Sequence, residues 1–276
     1  SPDAGKTQSI ISERTVPMLS YKARRNTPHC DNHDMFIDPD DSDRIMLATD
    51  GGLYLSHDRA KTWLHINTLP IAEFYAISVD ASEPYKIWGG TQDNGILGGE
   101  GKPMVLGEEH WDWDHGGDNY VTLIDPNDLD TMYLEGMFGS MARKDLKTGK
   151  SRGIRPGPAP NGKKLRFNWM TPFILSHYDS KTLYAGANML FKSGNRGDSW
   201  KCISPDLSDN MGPERKGDVP FGTITDISES ALKKGLLYAG TDDGQLHVTK
   251  DDGATWTKIN KGLPNKWVSR VVASKY

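Results

Sequence analysis

The chain is short of several things. It has two cysteines in 276 residues, Cys30 and Cys202. Their spacing does not decide whether they pair, and a pair of buried free thiols is the expected state. The charge imbalance is small: a formal net charge of −4 leaves no basic footprint for nucleic acid. Lys22, Arg24 and Arg25 read as a solvated turn. No apolar run approaches membrane-spanning length, and no signal peptide or initiator Met is visible at Ser1. Helical periodicity is missing throughout. The apolar runs are short, rich in β-branched and aromatic residues, and separated by Asn, Asp, Gly and Pro, so the chain reads as all-β. With 29 glycines and 16 prolines it needs many turns.

Three stretches share one pattern. Ser56, Asp58, Ala60, Thr62 and Trp63 recur as Ser193, Asn195, Gly197, Ser199 and Trp200, and again as Thr249, Asp251, Gly253, Thr255 and Trp256. In each, the Asp or Asn and the hydroxyls can bond the backbone of a tight turn. The small residue accepts the turn geometry, and the Trp staples the returning strand to the core.

A larger unit surrounds each stretch. An apolar strand runs into an Asp turn, and a second apolar strand ends in small residues. The couplets are 35–39 with 45–52, 76–80 with 87–95, 121–126 with 132–136, 173–176 with 183–187, and 224–228 with 237–244. They recur at roughly 40 to 55 residues, the period of a four-stranded propeller blade. Each blade buries its faces only against its neighbours, so the repeats predict one array rather than two domains.

The three stretches resemble Asp-boxes, also called bacterial neuraminidase repeats, whose pattern is S-x-D-x-G-x-T-W. The third matches nearly perfectly; Ala60 replaces Gly in the first and Asn195 replaces Asp in the second. Strand couplets ending in Tyr-Ala-Gly and leading into such a box are similar to sortilin-type receptor propellers and to bacterial glycosyl-hydrolase-like repeat proteins. The resemblance covers residues 29–276. It implies a β-propeller of four-stranded blades with Asp-box hairpins, about five full blades plus a partial one, in a secreted or periplasmic protein. In that superfamily the boxes lie remote from the ligand face.

Residues 1–28 are an N-terminal segment expected to supply blade-completing strands. Residues 267–274 look like the opening strand of another blade. Together the two ends predict a piece of a larger propeller protein, with the remaining blades, or another chain of the same protein, as partner.

Ligands gather where loops leave the innermost strands of a propeller. His29 to Asp34 precede the first inner strand and His110 to Tyr120 the third, both dense in carboxylate and imidazole. Phe74 and Tyr75 hold the equivalent place in the second blade, and Arg166 to Trp169 in the fourth. The expected ligand surface is His33, Asp34, Trp113, Asp118 and Trp169, with acidic, amide and aromatic groups suited to a glycan or a peptide.

The alternative is a glycoside hydrolase. That chemistry needs two carboxylates, about 5 Å apart for retention or roughly 6.5 to 9.5 Å apart for inversion. The candidates are Asp50, Asp93 and Asp118, with Asp34, Asp112 and Asp114 also in position. Xyloglucanase-type propellers carry Thr-Asp-Ile-Gly-Gly-Ala-Tyr around a catalytic Asp, and Thr49 to Tyr54 is similar but one residue shorter. Asp-Gly-Gly and Asp-Asp-Gly are also ordinary turn sequences, as at Asp242 to Gly244. The sialidase arginine triad and Arg-Ile-Pro motif cannot be placed. No cofactor is expected. His29, His33 and Asp34 with His110 and His115 have the residue types of a metal site, and calcium on Asp38, Asp40 and Asp41 is the alternative to plain turn capping.

Overall fold

The computed structural model describes residues 6, 28–29, 31–66, 71–101, 111–114 (backbone only), 117–160, 162, 164–209 and 217–276. These residues form five four-stranded antiparallel sheets, each a meander in chain order. Sheet 1 holds β1 (Asn32–Ile37), β2 (Ile45–Thr49), β3 (Gly52–Ser56) and β4 (Leu64–Ile66). Sheet 2 holds β5 (Phe74–Val79), β6 (Lys86–Thr91), β7 (Gly95–Glu100) and β8 (Trp111–Asp114). Sheet 3 holds β9 (Asn119–Asp125), β10 (Asp128–Gly136), β11 (Ser140–Asp145) and β12 (Ser151–Gly153). Sheet 4 holds β13 (Phe173–Leu175), β14 (Leu183–Gly186), β15 (Leu190–Ser193) and β16 (Lys201–Cys202). Sheet 5 holds β17 (Ile224–Glu229), β18 (Leu237–Thr241), β19 (Leu246–Thr249) and β20 (Thr257–Lys258).

Strand side chains alternate between faces, and sheets 3 and 4 are apolar on both faces because each is sandwiched by its neighbours. Trp88 and Ile96 of sheet 2 pack against Ile124, Met132 and Leu134 of sheet 3. Tyr133 and Met141 of sheet 3 meet Phe173 and Leu183 of sheet 4, and Tyr184 and Leu190 of sheet 4 meet Ile224, Ile227 and Leu237 of sheet 5. First strands lie side by side, β5 against β9 and β9 against β13, which makes them the inner lining of the array. Close approach explains two of the glycines. A Cβ on Gly90 would sit 2.1 Å from the carbonyl oxygen of Asn119 in sheet 3, and one on Gly98 would sit 2.1 Å from the Trp88 ring.

The three repeated hairpins share one hydrogen-bond scheme. Ser56 Oγ accepts from the Ala60 amide at 2.8 Å, while Asp58 accepts from the Thr62 amide at 2.8 Å and the Thr62 hydroxyl at 2.6 Å. Asn195 and Asp251 take the same bonds from the amides of Ser199 and Thr255. Each turn enters left-handed geometry one residue before the small residue, at Arg59, Arg196 and Asp252, and the small residue continues it: Ala60 φ 63°, Gly197 φ 83°, Gly253 φ 90°. The indoles reach the preceding sheet, Trp200 Nε1 donating to the Ile154 carbonyl at 2.7 Å and Trp256 Nε1 to the Ile203 carbonyl at 2.8 Å. Trp63 is buried, whereas Trp200 and Trp256 are half-buried.

After sheet 5 the chain turns back along β17. The Val268 amide donates to the Thr241 carbonyl at 3.0 Å, Thr225 Oγ1 to the Val268 carbonyl at 2.7 Å, and the Ala273 amide to Ser228 Oγ at 2.9 Å. Sheet 3 is tied to β5 by a similar bond, from Ser78 Oγ to the Thr122 carbonyl at 2.5 Å. Cys202 has a free, half-buried thiol that donates to the Ser204 carbonyl at 3.2 Å; Cys30 lies outside the described residues.

Candidate functional site

The second strand of sheets 1, 2 and 5 ends in a threonine whose hydroxyl donates across the following turn. Thr49 reaches the Gly52 carbonyl at 3.3 Å, Thr91 the Gly95 carbonyl at 2.9 Å, and Thr241 the Gln245 carbonyl at 3.4 Å. The next residue of each turn then donates its amide to the segment at or before the first strand: Asp50 to Asp31, Gln92 to Glu73, Asp242 to Thr223. The register of the first two strands also shifts at one equivalent place in these sheets, around His33, Tyr75 and Thr225. Such shifts re-aim side chains at the rims of β structures. These turns therefore form one mouth of the array.

Side chains from sheets 1, 2 and 3 converge there. One oxygen each from Asp31, Asp50 and Asp93 lies within 4.8 Å of the others. Asp50 and Asp93 touch by a side-chain hydrogen bond, and His33 pairs with Asp50 from the other side. The Asn94 amide group donates to the Asp50 carbonyl at 2.9 Å, tying sheet 2 to sheet 1. Asp118 Oδ1 accepts from the Asp93 amide at 2.8 Å, and its other oxygen accepts from the Tyr120 hydroxyl at 3.3 Å.

The environments of the two touching carboxyls differ. His33, bonded to Asp50, holds that carboxyl below its ordinary range. Burial first, then the charges of Asp118 and Asp50, push Asp93 up. Asp93 also sits in left-handed backbone at φ 55°, as does Asp31 at φ 59°.

Aromatic rings flank the acids. Tyr75 packs edge-on against buried Tyr120 with centroids 4.6 Å apart, and its hydroxyl is in hydrogen-bond contact with the Trp169 indole. Phe138, left-handed at φ 56°, lies edge-on to Trp169 at 5.1 Å and donates its amide to the Trp169 carbonyl at 3.1 Å. Trp169, Phe138 and Tyr75 are all partly exposed.

The residues expected from sequence are spread unevenly over this mouth. His33, Asp50, Asp93 and Asp118 are brought together, and Trp169 joins them through Tyr75. Asp34 is exposed and accepts from the amide of Met35 at 2.8 Å, a local turn bond. Trp113 belongs to β8, a fourth strand paired at Leu97, rather than to the start of an inner strand, and its side chain lies outside the described residues. His110 and His115 also lie outside them. Asp38 and Asp41 accept from the amides of Asp40 and Asp43 at 2.9 and 3.1 Å and so cap their own turns. Asp242, the counterpart of Asp50 in sheet 5, is buried and taken up by the amides of Gly222 and Thr223, both at 2.9 Å. Asp31 lies in the acidic stretch before the first inner strand without being singled out there, and Phe138 is absent from the expected set; a non-glycine residue in left-handed geometry is the feature that marks both, and it is invisible in sequence.

No protein-family model and no curated protein matches the sequence. Solved structures do. An ancestral GH74 enzyme superposes with a TM-score of 0.51 at 16% identity, over 86% of this chain and 32% of that one. The architecture is that of a β-propeller. A GH74 xyloglucanase from Xanthomonas campestris gives a TM-score of 0.45 at 14% identity over 86% of this chain and 38% of its own length. The extracellular domain of a one-component system from B. thetaiotaomicron gives 0.47 at 14% identity over 87% of this chain and 29% of its own length. The chain thus spans about a third of the length of these structures. Among the described residues no helix is long and apolar enough to cross a membrane.

Proposed function

We propose that this chain is the ligand-binding part of an extracytoplasmic Asp-box propeller that recognises a carbohydrate at the mouth formed by sheets 1 to 3. The observation that carries the reading is the convergence of Asp31, Asp50, Asp93 and Asp118 from three sheets beside the partly exposed rings of Tyr75, Phe138 and Trp169. Aromatic faces stack on sugar rings, and carboxyls bond their hydroxyls. A peptide would use the same acids through its basic side chains. The three repeated hairpins are Asp-boxes on this reading, and residues 267–274 are the first strand of a further blade, which makes the remaining blades a partner.

Glycoside hydrolysis is the second reading. The split between Asp50 and Asp93, one carboxyl held down and its neighbour pushed up, is the division of labour an acid and base pair requires. Their separation argues against it. Carboxyls in hydrogen-bond contact are closer than the ~5 Å of a retaining pair and leave no room for sugar between them. Calcium, a hard cation taking carboxylate ligands, would be held by Asp31, Asp50 and Asp93 and would neutralise their crowded charges.

A panel of soluble polysaccharides and peptides, presented with and without calcium, tests both readings. Binding of a polysaccharide that weakens at least tenfold in Asp118→Ala, without release of reducing ends, is the expected result. Release of reducing ends abolished by Asp50→Asn or Asp93→Asn would establish the hydrolase instead. Binding untouched by Asp34→Ala, Asp118→Ala and Trp169→Ala would remove the site.

A further inference from the structure

Two glutamates are buried among the described residues, Glu135 and Glu229. Glu229 closes β17 and is served at both oxygens: Ser176 Oγ at 3.0 Å and the Tyr184 hydroxyl at 3.2 Å donate to Oε1, and the His177 amide donates to Oε2 at 2.7 Å. It ties sheet 5 to sheet 4. Glu135, next to last in β10, is 0% exposed and differs at its second oxygen. Its Oε1 accepts from the Thr171 amide at 3.0 Å, while Oε2 has no partner. The Gly139 amide acts on the same carboxyl by a weaker hydrogen bond.

Gly139 and Thr171 flank the aromatic wall of the mouth. Phe138 immediately precedes Gly139, and Trp169 stands two residues before Thr171. The Phe138 amide donates to the Trp169 carbonyl at 3.1 Å, and Thr171 Oγ1 donates to the Asn168 carbonyl at 3.1 Å, closing the loop around the indole. One carboxyl therefore holds both segments that carry the wall. We propose that Glu135 is the positioning residue of this wall, and that the gain or loss of one proton on its carboxyl orders or loosens Phe138 and Trp169. The proposal rests on the reading of these rings as ligand surface and adds the regulation of that surface.

The two states of the carboxyl ask different things of the site. Protonated, it offers Oε1 to Thr171 as a carbonyl and leaves no charge on Oε2. Ionised, it places charge on a buried oxygen that no donor reaches, which costs far more than an unpaired neutral group. Nothing beside it offsets that charge. The segments paired or bonded to Glu135, residues 119–122, 136–142 and 167–173, contain no Lys, Arg or His. Their one ionisable side chain is Tyr120, on which the charge of Glu135 acts and whose hydroxyl donates to Asp118. Burial accordingly holds Glu135 well above the ordinary carboxylate range. The relief open to the ionised form is water admitted between residues 137–139 and 168–171, which parts Phe138 from Trp169. The wall is thus ordered below the folded pKa and loosens as pH rises through it.

Acrylamide quenching of Trp169 tests the proposal, read as the difference between the full chain and its Trp169→Phe variant across about pH 4 to 8, from the ordinary glutamate range upward. Quenching of this indole in the intact chain should rise with pH along a one-proton curve while the far-UV circular dichroism stays constant. In Glu135→Gln, which keeps an acceptor for Thr171 and cannot ionise, quenching should stay at its low-pH value throughout. Should that variant not fold, the side-chain carboxyl carbons of the intact chain, labelled with carbon-13 glutamate, decide: one glutamate must titrate above the others, at the midpoint of the quenching curve. A flat quenching curve in the intact chain, a rise that accompanies loss of the circular dichroism, an equal rise in Glu135→Gln, or glutamates that all titrate in the ordinary range would each overturn the proposal. None of these readouts uses a ligand, so such a result leaves the carbohydrate reading standing. That reading fails separately, on a polysaccharide panel without binding.

Discussion

At the scale of single residues, the mouth is governed by which carboxyls have spare lone pairs. Asp242 has none, because two backbone amides, a threonine hydroxyl and the Asn168 side-chain amide occupy it, and it serves the turn. Asp93 is crowded by Asp118 and Asp50 and carries a raised pKa. Asp93→Asn removes that repulsion, so thermal unfolding of the variant in a chelator is expected at higher temperature than wild type; a lower melting temperature would show that Asp93 is a structural acceptor. Glu135 gives a second case with the sign worked out. It is wholly buried, accepts from the Thr171 amide at 3.0 Å through one oxygen, leaves the other without a partner, and burial pushes its pKa well up. A raised carboxyl binds its proton more tightly folded than unfolded, so its effect on stability is most favourable below the usual carboxylate range and is lost as pH rises through the folded value. Denaturant melts across that range should therefore show a declining stability that flattens in Glu135→Gln. Little of this was legible in the sequence. Glu135 reads as the polar end of a strand, and its burial depends on Thr171, which the chain reaches a full sheet later. Asp31 and Asp93 meet only because each takes left-handed backbone at its turn.

At the scale of elements, the repeated hairpin was readable because its bonds are local. Ser56, Asp58 and Thr62 satisfy one another within a single turn, so the pattern and the structure are nearly the same statement. What each hairpin reaches across to was not readable. Arg196, inside the second hairpin, pairs with Asp125 at 3.0 Å and Asp128 at 3.1 Å, and its carbonyl accepts from Arg143 at 2.9 Å. Asp125 is fully buried. Arg196→Ala should cost about 3 to 5 kcal/mol, because it leaves a buried carboxylate uncompensated, and Arg196→Lys should recover only part of that because one ammonium cannot reproduce the fork. Urea midpoints check both. Trp256→Ala removes a half-buried ring and its bond to Ile203, and about 2 to 4 kcal/mol is expected, with no effect on ligand binding. The pH dependence of the hairpins follows from Asp58 and Asp251, whose hydrogen bonds from Thr62 and Thr255 lower them to about 2. Depressed carboxyls stabilise the fold above their unfolded pKa of about 3.9, and that contribution disappears as pH falls toward 2.

At the scale of the whole molecule, the blade repeat was legible from the spacing of strand couplets and turns, and the site only in outline. Sequence equivalence put His33, Asp118 and Trp169 at one mouth because inner strands start there; Trp113 departs from that rule because its Trp-Asp alternation pairs with β7 as an outer strand. Among the described residues Phe36 and Met46 on one wall of the seam between sheets 1 and 2 and Ile77 and Val79 on the other are exposed, and the contacts of Asp50 with Asp93 and Asn94 join the two sheets at the mouth. The proposed ligand surface lies at this seam, and a bound glycan or cation would brace it.

Affinity electrophoresis of the full chain through gels containing soluble polysaccharides tests the central claim most directly, with Trp169→Ala and Trp256→Ala run beside wild type. The account predicts that at least one polysaccharide retards wild type and Trp256→Ala alike but leaves Trp169→Ala at its free mobility. Retardation that survives Trp169→Ala and is lost in a folded Trp256→Ala would place recognition on the hairpins and contradict the account.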